Sequence, residues 1–209
     1  MRRSGTNVEG VFDALLCPPP VETACRLGRA ISRLRVSGGD RLDLVPLVLR
    51  AEILKLALTS VLTALVRRPG LWDLLRREPE LVPVTVAESL RWEPPIRLVP
   101  FFAREEVRIG HLTVTAGEPV VLMVGAAQRD RAEYSDPDRF DIRREPAPVL
   151  SGSSAVASDD RSWAARDAAT VLSSVLGEVR LIRPAGDPVR APRAPVTGSF
   201  TQFPVLLQR

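Results

Sequence analysis

The stretch VAESLRWEPP, residues 86–95, places an acidic and a basic side chain just before a point where a helix has to stop. Glu88 and Arg91 are three residues apart, so an α-helix would carry both side chains on one face. Pro94 and Pro95 follow closely and end the helix. The pair is either an exposed ion pair worth about 0–1 kcal/mol, or a buried pair that holds distant segments together.

The composition indicates a folded protein and argues against several classes of function. Of the 209 residues, 45% are hydrophobic and 26% are charged, which suits one domain or two small ones. The net charge is +4, but the aromatic content is only 5%, so a nucleic-acid surface is not predicted. Cys17 and Cys25 fit neither a zinc pattern nor a disulfide framework, and we expect a reducing cytoplasm. The longest apolar run, residues 56–66, is too short to cross a membrane.

The order of predicted elements is helices, strands, a loop, a helix and strands. A long apolar helix is predicted from about Asp43 to Arg68, followed by two short amphipathic helices that end before Pro94. Alternating residues with turn signals at Gly110 and Gly117 then predict a small antiparallel sheet. A last helix and a proline-rich tail with short strands complete an α+β layout that is mostly α.

Four motifs follow one another along the chain. They are ESLR at 88–91, the strand section RWEPPIRLVPFFAREEVRIGHLTVTAGEPVVLMVGAAQRD at 91–130, DPDRFDIRR at 136–144 and AGDPVR at 185–190. In this order they resemble the cytochrome P450 family of haem-thiolate monooxygenases. The resemblance covers roughly residues 44–209. It implies a mostly α fold with a small antiparallel β-sheet, the C-terminal half of the family fold with the N-terminal half missing. We therefore expect an N-terminal helical segment at 1–40 and a truncated P450-like domain at 41–209.

The resemblance also assigns a role to the opening pair. In the family, the arginine of the DPDRF loop meets the glutamate and arginine of the helix motif. Here these residues are Arg139, Glu88 and Arg91. We predict a structural triad with a carboxylate facing two guanidiniums, and no catalytic residue and no metal site.

The family's haem ligand has no counterpart in this sequence. A thiolate ligand is expected just before the last long helix, and counting back from that helix reaches Ser158 and Asp159. Neither can replace a soft thiolate. His111, the only histidine, falls in a predicted hairpin turn, and we interpret it as a surface residue. No cofactor is expected, although the family cofactor is haem.

The oxygen-activating segment of the family is degraded as well. By resemblance, the central helix should carry a glycine kink, an acidic residue and a threonine. This chain has Arg50, Glu52 and Ile53 there. Without the glycine we expect an unkinked helix, and without the threonine there is no hydroxyl to deliver a proton to oxygen.

Three hypotheses of function follow from the resemblance. The first is a haem-free auxiliary protein that binds and activates a glycosyltransferase in actinobacterial antibiotic biosynthesis, with residues 11–35 and the long helix as partner contacts. The second is a haem-binding monooxygenase. The third is a truncated fragment without a function. The missing ligand, the degraded central helix and the N-terminal segment FDALLCPPPVETACRLGRAISRLR favour the first.

Overall fold

The structure is a computed structural model of the chain. It describes residues 45–68, 70–144, 163–190, 197 and 200–209. The described residues divide into two units, one holding Val99–Leu122 and the other holding Pro46–Leu98 and Met123–Arg209. The predicted segment 1–40 lies outside the described residues, so its separation from residues 41–209 stays a prediction.

The larger unit contains the α-helices, one turn of 3-10 helix at Pro79–Leu81 and the four strands that follow the last helix. The helices are α1 (Val45–Val66), α2 (Leu71–Arg77), α3 (Val82–Trp92), α4 (Val124–Ala127) and α5 (Trp163–Glu178). The long apolar helix, the two short helices and the last helix of the prediction are therefore confirmed. None of the helices in the described ranges is long and apolar enough to cross a membrane.

The apolar core lies among α1, α2, α3 and α5. Each helix contributes small or branched side chains at helical spacing, so that one face is covered by its neighbours. The most buried members are Ala57, Val61, Leu65, Trp72, Leu75, Val82, Val86, Leu90, Ala168, Leu172 and Leu176. Helix α1 also buries two hydroxyls, Ser60 and Thr63, which donate hydrogen bonds to the carbonyls of Leu56 and Thr59 within the same helix. The core therefore anchors α3, the helix that carries ESLR.

The smaller unit contains the predicted strands. Strand β1 (Leu98–Phe102) pairs with β4 (Pro119–Met123), and between them β2 (Val107–Ile109) pairs antiparallel with β3 (Leu112–Val114). Gly110 and Gly117 have φ angles of 62° and 86°, a region that L side chains rarely adopt. Both predicted turns are confirmed, and the glycines explain why the chain can reverse there.

The last strands form two nested antiparallel pairs. Strand β5 (Leu181–Pro184) pairs with β8 (Val205–Gln208), with Ile182 opposite Leu207. Inside this pair, β6 (Val189–Arg190) meets β7 (Phe200–Gln202). The predicted fold class is confirmed, except that the strands of the described residues form separate pairs instead of a single sheet. Each pair closes within its own segment of chain, β2–β3 inside β1–β4 and β6–β7 inside β5–β8.

Candidate functional site

The Glu88–Arg91 pair is buried and bidentate. The two residues are 6% and 2% exposed, respectively. Arg91 Nε donates to Glu88 Oε2 at 2.7 Å, and Nη2 donates to Glu88 Oε1 at 2.9 Å. The interpretation as an exposed ion pair is therefore wrong. A carboxylate and a guanidinium that meet in this fork geometry form one of the stronger charge-assisted contacts in proteins.

Arg91 uses its remaining donors to hold loop carbonyls. Nη1 donates to the carbonyl oxygens of Gln128 at 2.8 Å and Pro137 at 2.9 Å, and Nη2 also donates to the carbonyl of Arg139 at 3.2 Å. With the two bonds to Glu88, all five N–H groups of the guanidinium have an acceptor. One side chain thus fixes the segment after β4 and the loop at 136–144 against helix α3.

The third member of the predicted triad needs a correction. Arg139 is exposed and takes part through its carbonyl oxygen, not through its guanidinium. The second guanidinium near Glu88 belongs to Arg144, whose Nε lies 3.6 Å from Glu88 Oε1 and whose side chain is 13% exposed. Arg144 also donates to the carbonyls of Asp136 and Arg139. The loop turns so that the later arginine, five residues on, faces inwards.

Glu88 receives one further hydrogen bond from the loop backbone. The amide of Asp141 donates to Glu88 Oε1 at 2.8 Å. We refer to Glu88, Arg91, Arg144 and the backbone groups that they bind as the Arg91 network. Its hydrogen bonds from helix α3 reach positions 37 to 53 residues further along the chain, so its chemistry is that of a structural joint.

A second cluster, which the sequence reasoning missed, surrounds Trp92 at the end of α3. The Arg68 guanidinium lies 4.4 Å from the centroid of Trp92 and 3.9 Å from that of Phe140. The indole nitrogen donates to the carbonyl of Asp138, and Arg129 forms an ion pair of 2.6 Å with the Asp138 carboxylate. Burial and the nearby Arg67 charge lower the pKa of Arg68, although Glu88 opposes this shift. The only sequence signal was a tryptophan next to the helix end.

A third cluster centres on Glu93, which was also missed. This buried carboxylate accepts hydrogen bonds from Arg97 and from Arg190 on β6, the latter at 3.0 Å. Burial by itself would raise the pKa of Glu93, but the hydrogen bond to Arg190 and the charges of both arginines outweigh burial and lower it. The cluster ties the last strands to the end of α3.

The predicted oxygen-activating positions lie on α1. The helix runs without interruption from Val45 to Val66, through Arg50, Glu52 and Ile53. Ile53 is buried and packs with Trp163 and Ala164 of α5. An isoleucine that packs against α5 holds two helices together and offers no polar group, so this position supplies packing where the family has a hydroxyl.

The described residues do not contain the thiolate that is the axial haem ligand in the family. They contain no cysteine, and their histidine, His111, is exposed in the turn between β2 and β3, as predicted. Nor do they contain a group of three or more residues that could hold a metal ion. Ser158, Asp159, Cys17 and Cys25 lie outside the described residues, so the prediction of a lost ligand rests on the sequence.

Comparison with known proteins connects these features to one family. A family model for cytochrome P450 matches residues 71–144, the segment that contains the Arg91 network. A solved structure of P450BioI in complex with an acyl carrier protein matches 100% of this chain and 58% of that chain, with a TM-score of 0.69 and 23% identity. That likeness concerns the fold alone.

The relatives differ in how much of the chain they match. Protein AknT of Streptomyces galilaeus is 30% identical over 93% of this chain, and Protein TylM3 of Streptomyces fradiae is 29% identical over 96%. Nocardicin C N-oxygenase of Nocardia uniformis subsp. tsuyamanensis is 45% identical, but over only 41% of this chain. The chain spans about half the length of AknT and TylM3, 51% and 52%. Residues 71–144 of this chain thus match the cytochrome P450 family, and the chain resembles AknT and TylM3 along more than nine-tenths of its length.

Proposed function

We propose that the chain is a non-catalytic, haem-free P450 homologue that binds and activates a glycosyltransferase in the cytoplasm, in actinobacterial natural-product biosynthesis. The observation that carries the proposal is the extent of each match. AknT and TylM3 align with more than nine-tenths of this chain, whereas the N-oxygenase aligns with 41%. The parts of this chain that do not align with the N-oxygenase are therefore covered by the matches to AknT and TylM3, whose names state no reaction.

The chemistry of the sequence supports the same proposal. A P450 reaction depends on a cysteine thiolate bound to haem iron, and the only cysteines are at positions 17 and 25. A hydroxyl or a carboxylate, as at Ser158 or Asp159, is a hard oxygen ligand without the electron donation of a thiolate. Within the buried Arg91 network, in contrast, each of the five N–H groups of Arg91 has an acceptor. The chain has kept a structural joint of the family while the residues for its chemistry have changed.

A second candidate function is a haem-binding monooxygenase. The identity of 45% to nocardicin C N-oxygenase favours it. Such an enzyme requires bound haem with a thiolate spectrum, and this requirement separates the two candidates.

The test has two arms. In the first, the chain is expressed with a haem precursor, and the purified protein is examined for a Soret band and for a thiolate-type difference spectrum with carbon monoxide. We expect neither. In the second, the chain is co-expressed with the glycosyltransferase encoded in the same gene cluster, and sugar transfer and the yield of soluble transferase are measured. We expect both to rise.

The control for the second arm is the Arg91→Ala variant, which should lose the buried network and with it the stimulation. A thiolate-type spectrum would overturn the proposal in favour of the monooxygenase. Unchanged sugar transfer and unchanged yield in the presence of the folded parent chain would overturn the auxiliary role.

A further inference from the structure

Three guanidiniums gather around one indole ring at the end of α3. The carbon atoms at the centres of Arg67, Arg68 and Arg129 lie 5.6, 4.4 and 5.8 Å from the centroid of Trp92. A single cation over an aromatic ring is favourable, but three like charges at one ring repel each other. We call these four residues the Trp92 patch.

The positive charge of the patch is only partly compensated. Asp138 pairs with Arg129. Within the described ranges, no carboxylate comes within ion-pair distance of Arg67 or Arg68. The charge of Glu88 acts on Arg68, but Glu88 itself is paired with Arg91 and Arg144. Burial and, to a smaller extent, the Arg67 charge lower the pKa of Arg68. An approaching anionic group would relieve this repulsion.

Two of the arginines are held in place before any partner arrives. Arg68 contacts the rings of both Trp92 and Phe140 and donates to the carbonyl of Ala64 at the end of α1. Arg129 donates to the carbonyl of Trp92 at 2.8 Å. Side chains that are already ordered lose little conformational entropy when they bind. Arg67 is exposed at the edge of the patch, where a partner can reach it.

We propose that the Trp92 patch is a docking point for a carboxylate-bearing surface of a partner protein, which under the proposed function is the glycosyltransferase. Tryptophan and arginine are the residues most enriched at the energetic centres of protein interfaces, and planar guanidiniums match carboxylates in bidentate geometry. The inference rests on the proposed function for the identity of that partner.

The test uses charge changes at Arg67, because Arg68 and Arg129 also support the fold. The variants are Arg67→Glu and Arg67→Gln, and the matched control is Arg77→Glu. Arg77 is likewise an exposed arginine at the C-terminal end of a helix, α2. Replacing it by glutamate therefore also places a negative charge at the negative end of a helix dipole. Thermal melting of each variant establishes that it is folded. The glycosyltransferase from the same gene cluster is then titrated with each protein at low and moderate salt.

We expect Arg67→Glu to raise Kd by about tenfold or more, Arg67→Gln to have a smaller effect, and Arg77→Glu to bind like the parent. The difference between Arg67→Glu and the parent should shrink as salt increases. If Arg67→Glu binds as tightly as the parent, the docking inference is wrong and the auxiliary role stands. If the parent itself does not bind the transferase, both fall.

A third titration replaces the transferase with a short DNA duplex. We expect no binding that depends on Arg67. If the duplex binds the parent and loses affinity with Arg67→Glu, while the transferase does not distinguish the two, the patch serves a phosphate backbone and the proposal of a protein partner is overturned.

Discussion

At the scale of single residues, the Arg91 network shows why a motif of two residues can hold a fold. Taking a carboxylate and a guanidinium out of water is costly, and the cost is offset only when every donor is used. Arg91 meets this condition, since its five N–H groups bind Glu88 and three backbone carbonyls. The pair is therefore much more sensitive to the loss of one partner than an exposed ion pair would be.

Replacement of Arg91 by alanine should lower the free energy of unfolding by about 3–5 kcal/mol, because it leaves the Glu88 carboxylate buried beside three unsatisfied carbonyls. Urea denaturation followed by circular dichroism measures the change. Arg180→Ala is a control, because the Arg180 residue is exposed and its backbone carbonyl, which accepts a hydrogen bond from Trp72, is retained in the variant. An Arg91→Ala protein as stable as the control would contradict the network's structural role.

The correction of the triad gives a second prediction. Arg144→Ala should cost about 1–3 kcal/mol, since it removes bonds to the carbonyls of Ser135, Asp136 and Arg139 and a charge next to Glu88. Arg139→Ala should stay within about 0.5 kcal/mol of the parent, because only its carbonyl is used. The same denaturation experiment compares the two. The opposite order of the two costs would restore Arg139 as the inward-facing arginine.

At the scale of elements, the end of helix α3 is where separate segments meet. Within the last turn and just beyond it, Arg91 binds the loop at 136–144, Trp92 contacts Arg68 after α1, and Glu93 binds Arg190 of β6. The restriction that Pro94 places on Glu93 ends the helix there and turns the Glu93 carboxylate out of the helical register. A short helix with a fixed end thus positions a loop, another helix and a strand pair.

The Glu93 cluster predicts a dependence of stability on pH. The pKa of Glu93 is lower in the folded protein than its ordinary value of 4.5. Its ionised form therefore stabilises the fold above that value, and this contribution is lost as the pH falls through the folded pKa. Glu93→Gln should be less stable than the parent at neutral pH, and the difference should shrink progressively in acid below about pH 4.5.

Chemical denaturation at a series of pH values checks this expectation. Glu105→Gln, at an exposed glutamate between β1 and β2, is the control and is measured over the same pH series. If the difference in the free energy of unfolding between Glu93→Gln and the parent widened in acid, the effect of burial on the Glu93 carboxylate would exceed that of the two arginines.

At the scale of the whole molecule, the sequence allowed the fold class, the order of the helices and the Glu88–Arg91 pair to be predicted. These follow from local spacing and from motifs in order. It did not allow the choice between Arg139 and Arg144, because that choice depends on how a loop without regular structure turns. The Trp92 and Glu93 clusters were missed for a similar reason. Their partners lie up to 97 residues apart in the chain, and no periodic pattern links them.

A partner that binds only the folded chain should also stabilise it. The melting temperature of the chain should rise with the concentration of added glycosyltransferase, by an amount set by the ratio of that concentration to Kd. Differential scanning calorimetry measures the shift, provided that the melting transition of the chain is resolved from that of the transferase. Bovine serum albumin at the same concentrations is the control for crowding, which we expect to have only a small effect.

The hydrogen bond from the Asp141 amide to Glu88 has a consequence for amide exchange. Asp141 lies in a loop without helix or strand, where amide protons normally exchange with solvent quickly. Because its acceptor is a buried carboxylate in the Arg91 network, this proton should exchange slowly, at a rate close to that of the core amides of α3. In Arg91→Ala it should become fast even where helices still protect their own amides. Deuterium uptake at this one position would thus report whether the joint between helix and loop is closed.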